Sequence, residues 1–272
     1  MVAVRLIGSY GGVELVAALQ AAGVQSGDTL MLHSAFEPHH GFRGTCEEAV
    51  DAFLQAVGPQ GNLMMVSLPY RSSSLEYLRK GKTFDVRKTP SAMGLVSECF
   101  RRRKGVLRSL HPTHPVLAYG ARAEWLTEGH ECCLYPCGPR TPFEKALRAY
   151  GKVAFFNVPF AFLTFFHYLE HQVHGELDFN LYAEPPFDAA VIDRVGERRV
   201  VRTYVFSKEA IQRRRFEVLE GALRKRGLIR EIRVGASSIL LANLRDIVIE
   251  VEDMTRRGVY FYESTAGPVG KV

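Results

Sequence analysis

The segment from Thr164 to His171 brings together side chains that could move a proton. Thr164, His167 and Glu170 recur at every third residue, so in a helix a hydroxyl, an imidazole and a carboxylate would share one face. In such a set the carboxylate fixes the tautomer of the imidazole, and the imidazole accepts a proton from the substrate. The spacing therefore favours general acid–base chemistry.

The same segment also matches the pattern H-x-x-E-H, because His171 directly follows Glu170. This pattern is typical of one class of zinc proteases, in which the histidines bind the metal and the glutamate acts as base. It fixes only three positions, and no third ligand stands out. Cys132, Cys133 and Cys137 do not have the spacing of paired zinc ligands either. We therefore expect no bound metal.

Helical and strand-like apolar patterns alternate along the chain, which predicts an α/β fold with a central mixed sheet flanked by helices. After Pro185-Pro186 the pattern predicts a β-hairpin that turns at Gly196-Glu197. Thr45 and Glu48 form a capping-box pattern, and Ser91 is a candidate helix cap. Helices are expected at 11–23, 45–57, 91–103 and 164–175, and strands at 28–34, 62–68, 115–119 and 152–158.

Composition indicates an ordinary globular protein of 272 residues, 47% hydrophobic and 24% charged. There is no apolar run near the ~20 residues needed to cross a bilayer, and the first 12 residues lack the pattern of a signal peptide. The five cysteines have no disulfide-framework spacing, which fits a reducing compartment. We expect a cytoplasmic location and no membrane partner.

The net charge of +6 comes from one basic segment, residues 194–233, which holds 13 Lys/Arg against 5 Asp/Glu. Residues 212–227 of this segment (QRRRFEVLEGALRKRG) predict an amphipathic helix. Its apolar stripe is Phe216, Leu219, Ala222 and Leu223. Two interpretations of this pattern stay open: the charges form a solvated helix face, or they line a site for an anionic ligand. Nucleic acid is not the expected partner, because stacking aromatics do not accompany the charges.

Four segments, in this order, carry a family resemblance: GDTLMLHSA at 27–35, TPSAMG at 89–94, RSLHPTHP at 108–115, and residues 151–170. Together they resemble the aminoglycoside 3-N-acetyltransferase family, whose antibiotic N-acetyltransferase fold is unrelated to the GCN5-type fold. The resemblance covers most of residues 10–175, and the closing VYFYES is similar to the end of the family's chains.

The resemblance implies an acetyl-CoA-dependent N-acetyltransferase that passes the acyl group directly to an amine of a small molecule. His167 would be the general base, supported by Glu170 and Thr164. Backbone amides near Ser34 and Ala35 would stabilise the oxyanion. The groove for acetyl-CoA would be lined by His33, Ser34, Ala35, Arg108, Ser109, His111 and Thr113, with Arg108 on phosphate.

The expected organisation is a single acyltransferase domain over residues 1–272. Residues 1–175 would form the core with the CoA-site motifs. Residues 176–235 would form a variable hairpin and basic helix on the acceptor side. A homodimer would be compatible with this organisation.

Three departures from the family pattern bear on the substrate. Ala35 replaces a serine, Pro115 replaces another, and arginines in the basic segment replace the carboxylates that would receive a polycation. Charge repulsion then favours a neutral or anionic amine, such as a non-aminoglycoside amino sugar or metabolite. The alternatives are an aminoglycoside 3-N-acetyltransferase that confers antibiotic resistance, and a CoA-binding module without catalysis.

Overall fold

The computed structural model describes residues 8–263. Two expectations therefore fall partly outside the described residues. The first 12 residues are described only from Gly8 onward, and the closing VYFYES is described only up to Glu263. Within residues 8–263 the helices are α1 Gly12–Ala22, α2 Cys46–Val57, α3 Ser74–Arg79, α4 Leu95–Arg102, α5 Ala123–Thr127, α6 Pro142–Arg148, α7 Phe166–Val173, α8 Lys208–Arg213, α9 Phe216–Lys225 and α10 Leu244–Arg256.

The strands form two sheets. A seven-stranded sheet has the order β4-β5-β2-β1-β6-β10-β9, and a three-stranded sheet has the order β3-β7-β8. Their bounds are β1 Thr29–Ser34, β2 Asn62–Val66, β3 Phe84–Asp85, β4 Leu107–Arg108, β5 Val116–Gly120, β6 Lys152–Phe156, β7 Tyr182–Ile192, β8 Arg198–Phe206, β9 Arg230–Val234 and β10 Ser237–Asn243.

The large sheet is mixed and covered by helices on both faces, which confirms the predicted fold class. Strands β2, β1 and β6 are parallel, and the flanking strands pair antiparallel to them. Side chains alternate along β1: Leu30 and Leu32 pack with α1, α2 and α4, whereas Met31 packs with the helices of the opposite face. The buried strands therefore have continuous apolar sequences.

Two local expectations can be compared directly with the structure. The predicted capping box of α2 is confirmed, since Thr45 Oγ1 accepts from the Glu48 amide and Glu48 Oε2 accepts from the Thr45 amide. The Ser91 cap was wrong. Helix α4 begins only at Leu95, after Gly94, and the Ser91 hydroxyl instead accepts from the Met93 amide in the preceding loop.

The hairpin of β7 and β8 is confirmed, with its turn closed by the Asp193 amide on the Glu197 carbonyl. The basic helix predicted from residue 212 was only partly right. Its apolar stripe packs as expected in α9, but α8 ends at Arg213, the backbone at Arg214 is extended, and α9 begins only at Phe216. The break turns Arg214 toward the interior.

In the described part of the chain, no helix has both the length and the apolar content needed to cross a bilayer.

Candidate active site

His167 and Glu170 form a hydrogen-bonded pair on α7. The distance from His167 Nδ1 to Glu170 Oε2 is 2.6 Å, across the i to i+3 spacing that the sequence indicated. The Glu170 side chain is fully buried, while 16% of the His167 side chain remains exposed. Because Nδ1 carries the proton donated to the carboxylate, Nε2 is the basic nitrogen of the neutral ring.

Packing rather than capping holds α7 in place. The helix is short and has no side-chain cap at its start, but Phe166 and Leu169 are fully buried in the core on one face of the sheet. The preceding turn is fixed by the bond from the His167 amide to the Thr164 carbonyl. The apolar residues around the pair of His167 and Glu170, called the dyad from here on, therefore fix its position.

Two residues far away in the sequence complete the hydrogen bonding of Glu170. Arg214 donates from Nε to Oε1 at 2.6 Å and from a terminal nitrogen to Oε2 at 3.0 Å. The Tyr262 hydroxyl donates to Oε1 at 2.5 Å. Sequence reasoning missed both residues. The sequence pattern assigns Arg214 to the basic segment and Tyr262 to the closing segment VYFYES, and neither position indicates a contact with Glu170.

These contacts determine the protonation of the pair. Burial by itself raises the pKa of Glu170, but the Arg214 guanidinium and the hydrogen bond from His167 hold it below its ordinary value. Burial, followed by the charge of Arg214, lowers the pKa of His167, and the bond to Glu170 opposes this shift. At neutral pH the imidazole is thus uncharged and able to accept a proton.

Aromatic rings pack around the imidazole of His167. The Phe206 ring lies 4.6 Å from it and 4.8 Å from the Arg214 guanidinium carbon. The His114 ring stands edge-on at 5.6 Å. The imidazole is therefore held by contacts from β8 and from the loop before β5, which sequence reasoning did not connect to it.

A cleft of about 510 Å³ opens beside Thr164, the residue one turn before His167. It lies at the carboxyl ends of β1, β2 and β6, where ligands commonly bind in α/β sheets. His33, Ser34 and Ala35 at the end of β1 line it, together with apolar side chains and Arg71. Four of the expected site residues thus meet at this cleft.

The remaining expected groove residues lie elsewhere. Arg108 is 4% exposed and donates to the carbonyls of Ser67 and Thr89, so both its terminal nitrogens are engaged within the protein. This geometry differs from the expected contact with phosphate. Ser109 bonds to His130 and to the Val116 amide.

His111 and Thr113 are likewise fully buried. His111 Nδ1 accepts from the amides of Thr113 and His114. These residues shape the loop that places His114 against His167, and they are not among the residues that line the cleft.

The end of β1 also departs from expectation in detail. The Ala35 amide, expected near an oxyanion, already donates to the Phe156 carbonyl at 2.9 Å. His33 stacks on Phe155, and burial lowers its pKa to about 4. Its Nε2 has no partner among the described residues. His33 is therefore a neutral ring whose Nε2 is buried without a hydrogen bond to any described residue.

The H-x-x-E-H interpretation does not match these contacts. The Glu170 carboxylate is bound to a guanidinium, and His171 Nδ1 pairs with the Tyr182 hydroxyl at 3.0 Å. Within residues 8–263 there is no group of three or more side chains that could hold a metal ion. The chemistry that these residues support is proton transfer by His167.

Much of the positive charge in the basic segment is neutralised by ion pairs. Several partners are carboxylates outside the segment, among them Asp178, Asp188 and Glu250. The paired arginines are Arg199, Arg202, Arg213, Arg214, Arg215, Arg224 and Arg226. Seven of the 13 basic side chains of the segment are thus paired, which weakens the repulsion expected against a polycation.

The three-dimensional architecture is shared with known acetyltransferases. The crystal structure of the aminoglycoside acetyltransferase AAC(3)-IVa apoenzyme superposes with a TM-score of 0.77 at 23% identity, covering 96% of this chain and 94% of that one. The AAC-IIIb binary complex with CoASH gives 0.76 at 23%, covering 95% and 99%. AAC-VIa bound to sisomicin gives 0.75 at 25%, covering 92% and 98%.

The sequence comparisons agree. Aminoglycoside N(3)-acetyltransferase III of Salmonella sp is 33% identical over 165 residues, which are 56% of this chain and only 57% of that relative. Aminoglycoside N(3)-acetyltransferase VIII of Streptomyces fradiae is 28% identical over 93% of this chain and 92% of its own. A family model described as aminoglycoside 3-N-acetyltransferase matches residues 31–256. The chain belongs to the aminoglycoside 3-N-acetyltransferase family.

Proposed function

We propose that this chain transfers the acetyl group of acetyl-CoA to an amine, with an aminoglycoside as the acceptor and its 3-amino group as the position modified. The observation that carries the proposal is the buried, hydrogen-bonded pair of His167 and Glu170, which lies one helical turn after Thr164, a residue that lines the cleft at the carboxyl ends of the strands.

His167 acts as the general base. The acceptor nitrogen attacks the thioester carbonyl, and its proton passes to Nε2 of His167 while Glu170 stabilises the resulting imidazolium. The tetrahedral intermediate then expels the CoA sulfur, which takes a proton from the imidazolium. Positioned proton transfer of this kind contributes about 10²–10⁴-fold to the rate.

The thioester oxygen needs a donor. The Ala35 amide is already engaged, whereas Thr164 lines the cleft one turn before His167. We assign to the Thr164 hydroxyl the hydrogen bond to this oxygen. The apolar walls of the cleft suit the pantetheine arm, and Arg71 at its edge supplies a cation for phosphate.

An aminoglycoside acceptor is supported in two ways. The relatives with curated activities are named for aminoglycosides, and one structural neighbour is described with sisomicin bound. The ion pairs of the basic segment weaken the charge argument for a neutral or anionic amine.

Residues of the site come from positions 33 to 262, which supports one catalytic domain.

The test is release of CoA thiol from acetyl-CoA with aminoglycosides, neutral amino sugars and anionic amino sugars as acceptors. We expect turnover with aminoglycosides and loss of about 10²-fold or more in His167→Ala. The matched control is His39→Ala, which removes an exposed histidine and should keep full activity. Turnover confined to neutral or anionic amines would overturn the acceptor. CoA binding without any turnover would indicate a non-catalytic module.

A further inference from the structure

Glu170 accepts more hydrogen bonds than its pairing with His167 requires. Its fully buried carboxylate accepts hydrogen bonds from three side chains, those of His167, Arg214 and Tyr262. Arg214 approaches as a two-pronged donor, one nitrogen to each oxygen, which is the geometry in which a guanidinium fixes a carboxylate most firmly. The carboxylate is therefore fixed in position by groups from outside α7.

The fold brings these two donors to Glu170 together. Arg214 and Tyr262 pair in an isolated antiparallel β-bridge. The Arg215 amide donates to the Phe261 carbonyl, and the Glu263 amide donates to the Arg213 carbonyl. The extended backbone between α8 and α9 is thus the strand-like partner of the segment after α10, and the bridge places both side chains on the same carboxylate.

We propose that Arg214 and Tyr262 are positioning residues for acetyl transfer, which hold Glu170 as a fixed anion so that His167 keeps its proton on Nδ1 and presents Nε2 to the amine. This inference rests on the proposed function. Neither residue is assigned contact with the reacting atoms.

Electrostatics gives the proposal a measurable consequence. Among the described residues, the titratable groups that face the dyad besides Arg214 and Tyr262 are His114, Cys137 and Tyr182. Burial keeps all three uncharged at neutral pH, since it lowers the pKa of the histidine and raises the pKa values of the thiol and the phenol. Arg214 is therefore the cation that balances Glu170.

Loss of Arg214 would leave the dyad with an unbalanced negative charge. The dyad would then take up its first proton at a higher pH, whichever partner receives it. Since the active form has a neutral His167, the acidic limb of the pH profile of kcat/KM should move to higher pH. A merely structural role for Arg214 would not move this limb.

The experiment compares four variants of the full chain with aminoglycoside and acetyl-CoA as substrates. In Arg214→Met we expect kcat to fall about 10²-fold and the acidic limb to rise by about one pH unit or more. Arg214→Lys keeps the charge without the fork, so kcat should fall while the limb moves less. Tyr262→Phe should lower kcat by several-fold.

The fourth variant, Arg202→Met, is the matched control. It removes an arginine that also makes a two-pronged pair with a carboxylate, that of Asp188, but at an exposed position, and it should leave kcat and the pH profile unchanged. In parallel, NMR titration of histidine ring nitrogens in the unliganded protein, with His167→Gln to assign the signal, measures the dyad without any turnover. The His167 titration should move to higher pH in Arg214→Met.

The outcomes separate this inference from the proposed function. Suppose that the enzyme is active and needs His167, but that the Arg214 and Tyr262 variants keep its kcat, its pH profile and its NMR titration. This result would overturn the positioning role alone. Full activity in His167→Ala would overturn the proposed function. The NMR titration would then still show whether Arg214 affects the protonation of the dyad. If Arg214→Met does not fold, the same measurements on Arg214→Lys and Tyr262→Phe test the positioning role.

Discussion

At the scale of single residues, Glu170 distinguishes the two chemistries that its segment suggested. In the metal interpretation it would be a base next to zinc, but in the structure it bonds to a guanidinium, a phenol and an imidazole. A buried carboxylate so paired is expected to remain ionised, and the role we propose for it is to orient and stabilise its histidine.

Glu170→Gln tests this role. A glutamine oxygen still accepts a hydrogen bond from Nδ1, but it has no charge to stabilise an imidazolium, so we expect kcat/KM to fall about 10²–10⁴-fold. The matched control is Glu176→Gln, which removes an exposed carboxylate bonded to Tyr260 and should leave kcat/KM unchanged. The measurement is the initial rate of thiol release across amine concentrations, and full activity in Glu170→Gln would contradict the assigned role.

At the scale of elements, the fold depends on short segments between helices and strands as well as on the helices and strands themselves. One such segment breaks the basic helix at Arg214, and another is the turn between β9 and β10. That turn contains Gly235 at a φ of +56°, and a side chain there would meet the Gly8 carbonyl oxygen at 1.8 Å. Close contact of two backbones fixes the turn next to Tyr10.

Gly235→Ala should therefore destabilise the protein in two ways. Left-handed backbone costs a non-glycine residue about 1 kcal/mol, and displacement of the Gly8 segment adds a further loss. We expect the free energy of unfolding in urea to fall by about 2–4 kcal/mol. Gly227→Ala is the matched control: its φ is +67° with open space around it, so it should lose only about 1 kcal/mol. Equal losses in the two variants would show that the close contact contributes nothing.

At the scale of the whole molecule, buried neutral histidines couple stability to pH. Burial lowers the pKa of His33 to about 4, of His130 to about 3 and of His171 to about 4. A depressed pKa means that the folded state binds fewer protons than the unfolded state. The stability from these histidines is thus fully present above about pH 6.5 and is lost as pH falls toward 4.

Urea unfolding at pH 7.5 and pH 5 measures this loss. Each of the three histidines should remove about 2 kcal/mol of unfolding free energy at pH 5, before most carboxylates are protonated. His171→Gln should reduce the decrease by about 2 kcal/mol, whereas the control His39→Gln, at an exposed position, should not change it. An unfolding free energy that is equal at both pH values would show that these rings are not buried in neutral form.

The sequence alone was sufficient for the α/β fold class, the family and the dyad. These depend on local information: apolar periods that distinguish strand from helix, motif order along residues 10–175, and the three-residue spacing that puts His167 and Glu170 on one helix face. Contacts within one turn of helix follow from spacing, because the helix itself fixes the geometry.

Only the tertiary structure decided what surrounds the dyad. Arg214 lies 44 residues from Glu170 in sequence and Tyr262 lies 92 residues away, and their meeting depends on a break between two helices and an isolated β-bridge. The tertiary structure also pairs seven of the 13 Lys/Arg of the basic segment with carboxylates, and it places Arg108 on backbone carbonyls. No local period encodes such contacts, since they arise where packing of the whole chain brings distant backbone segments together.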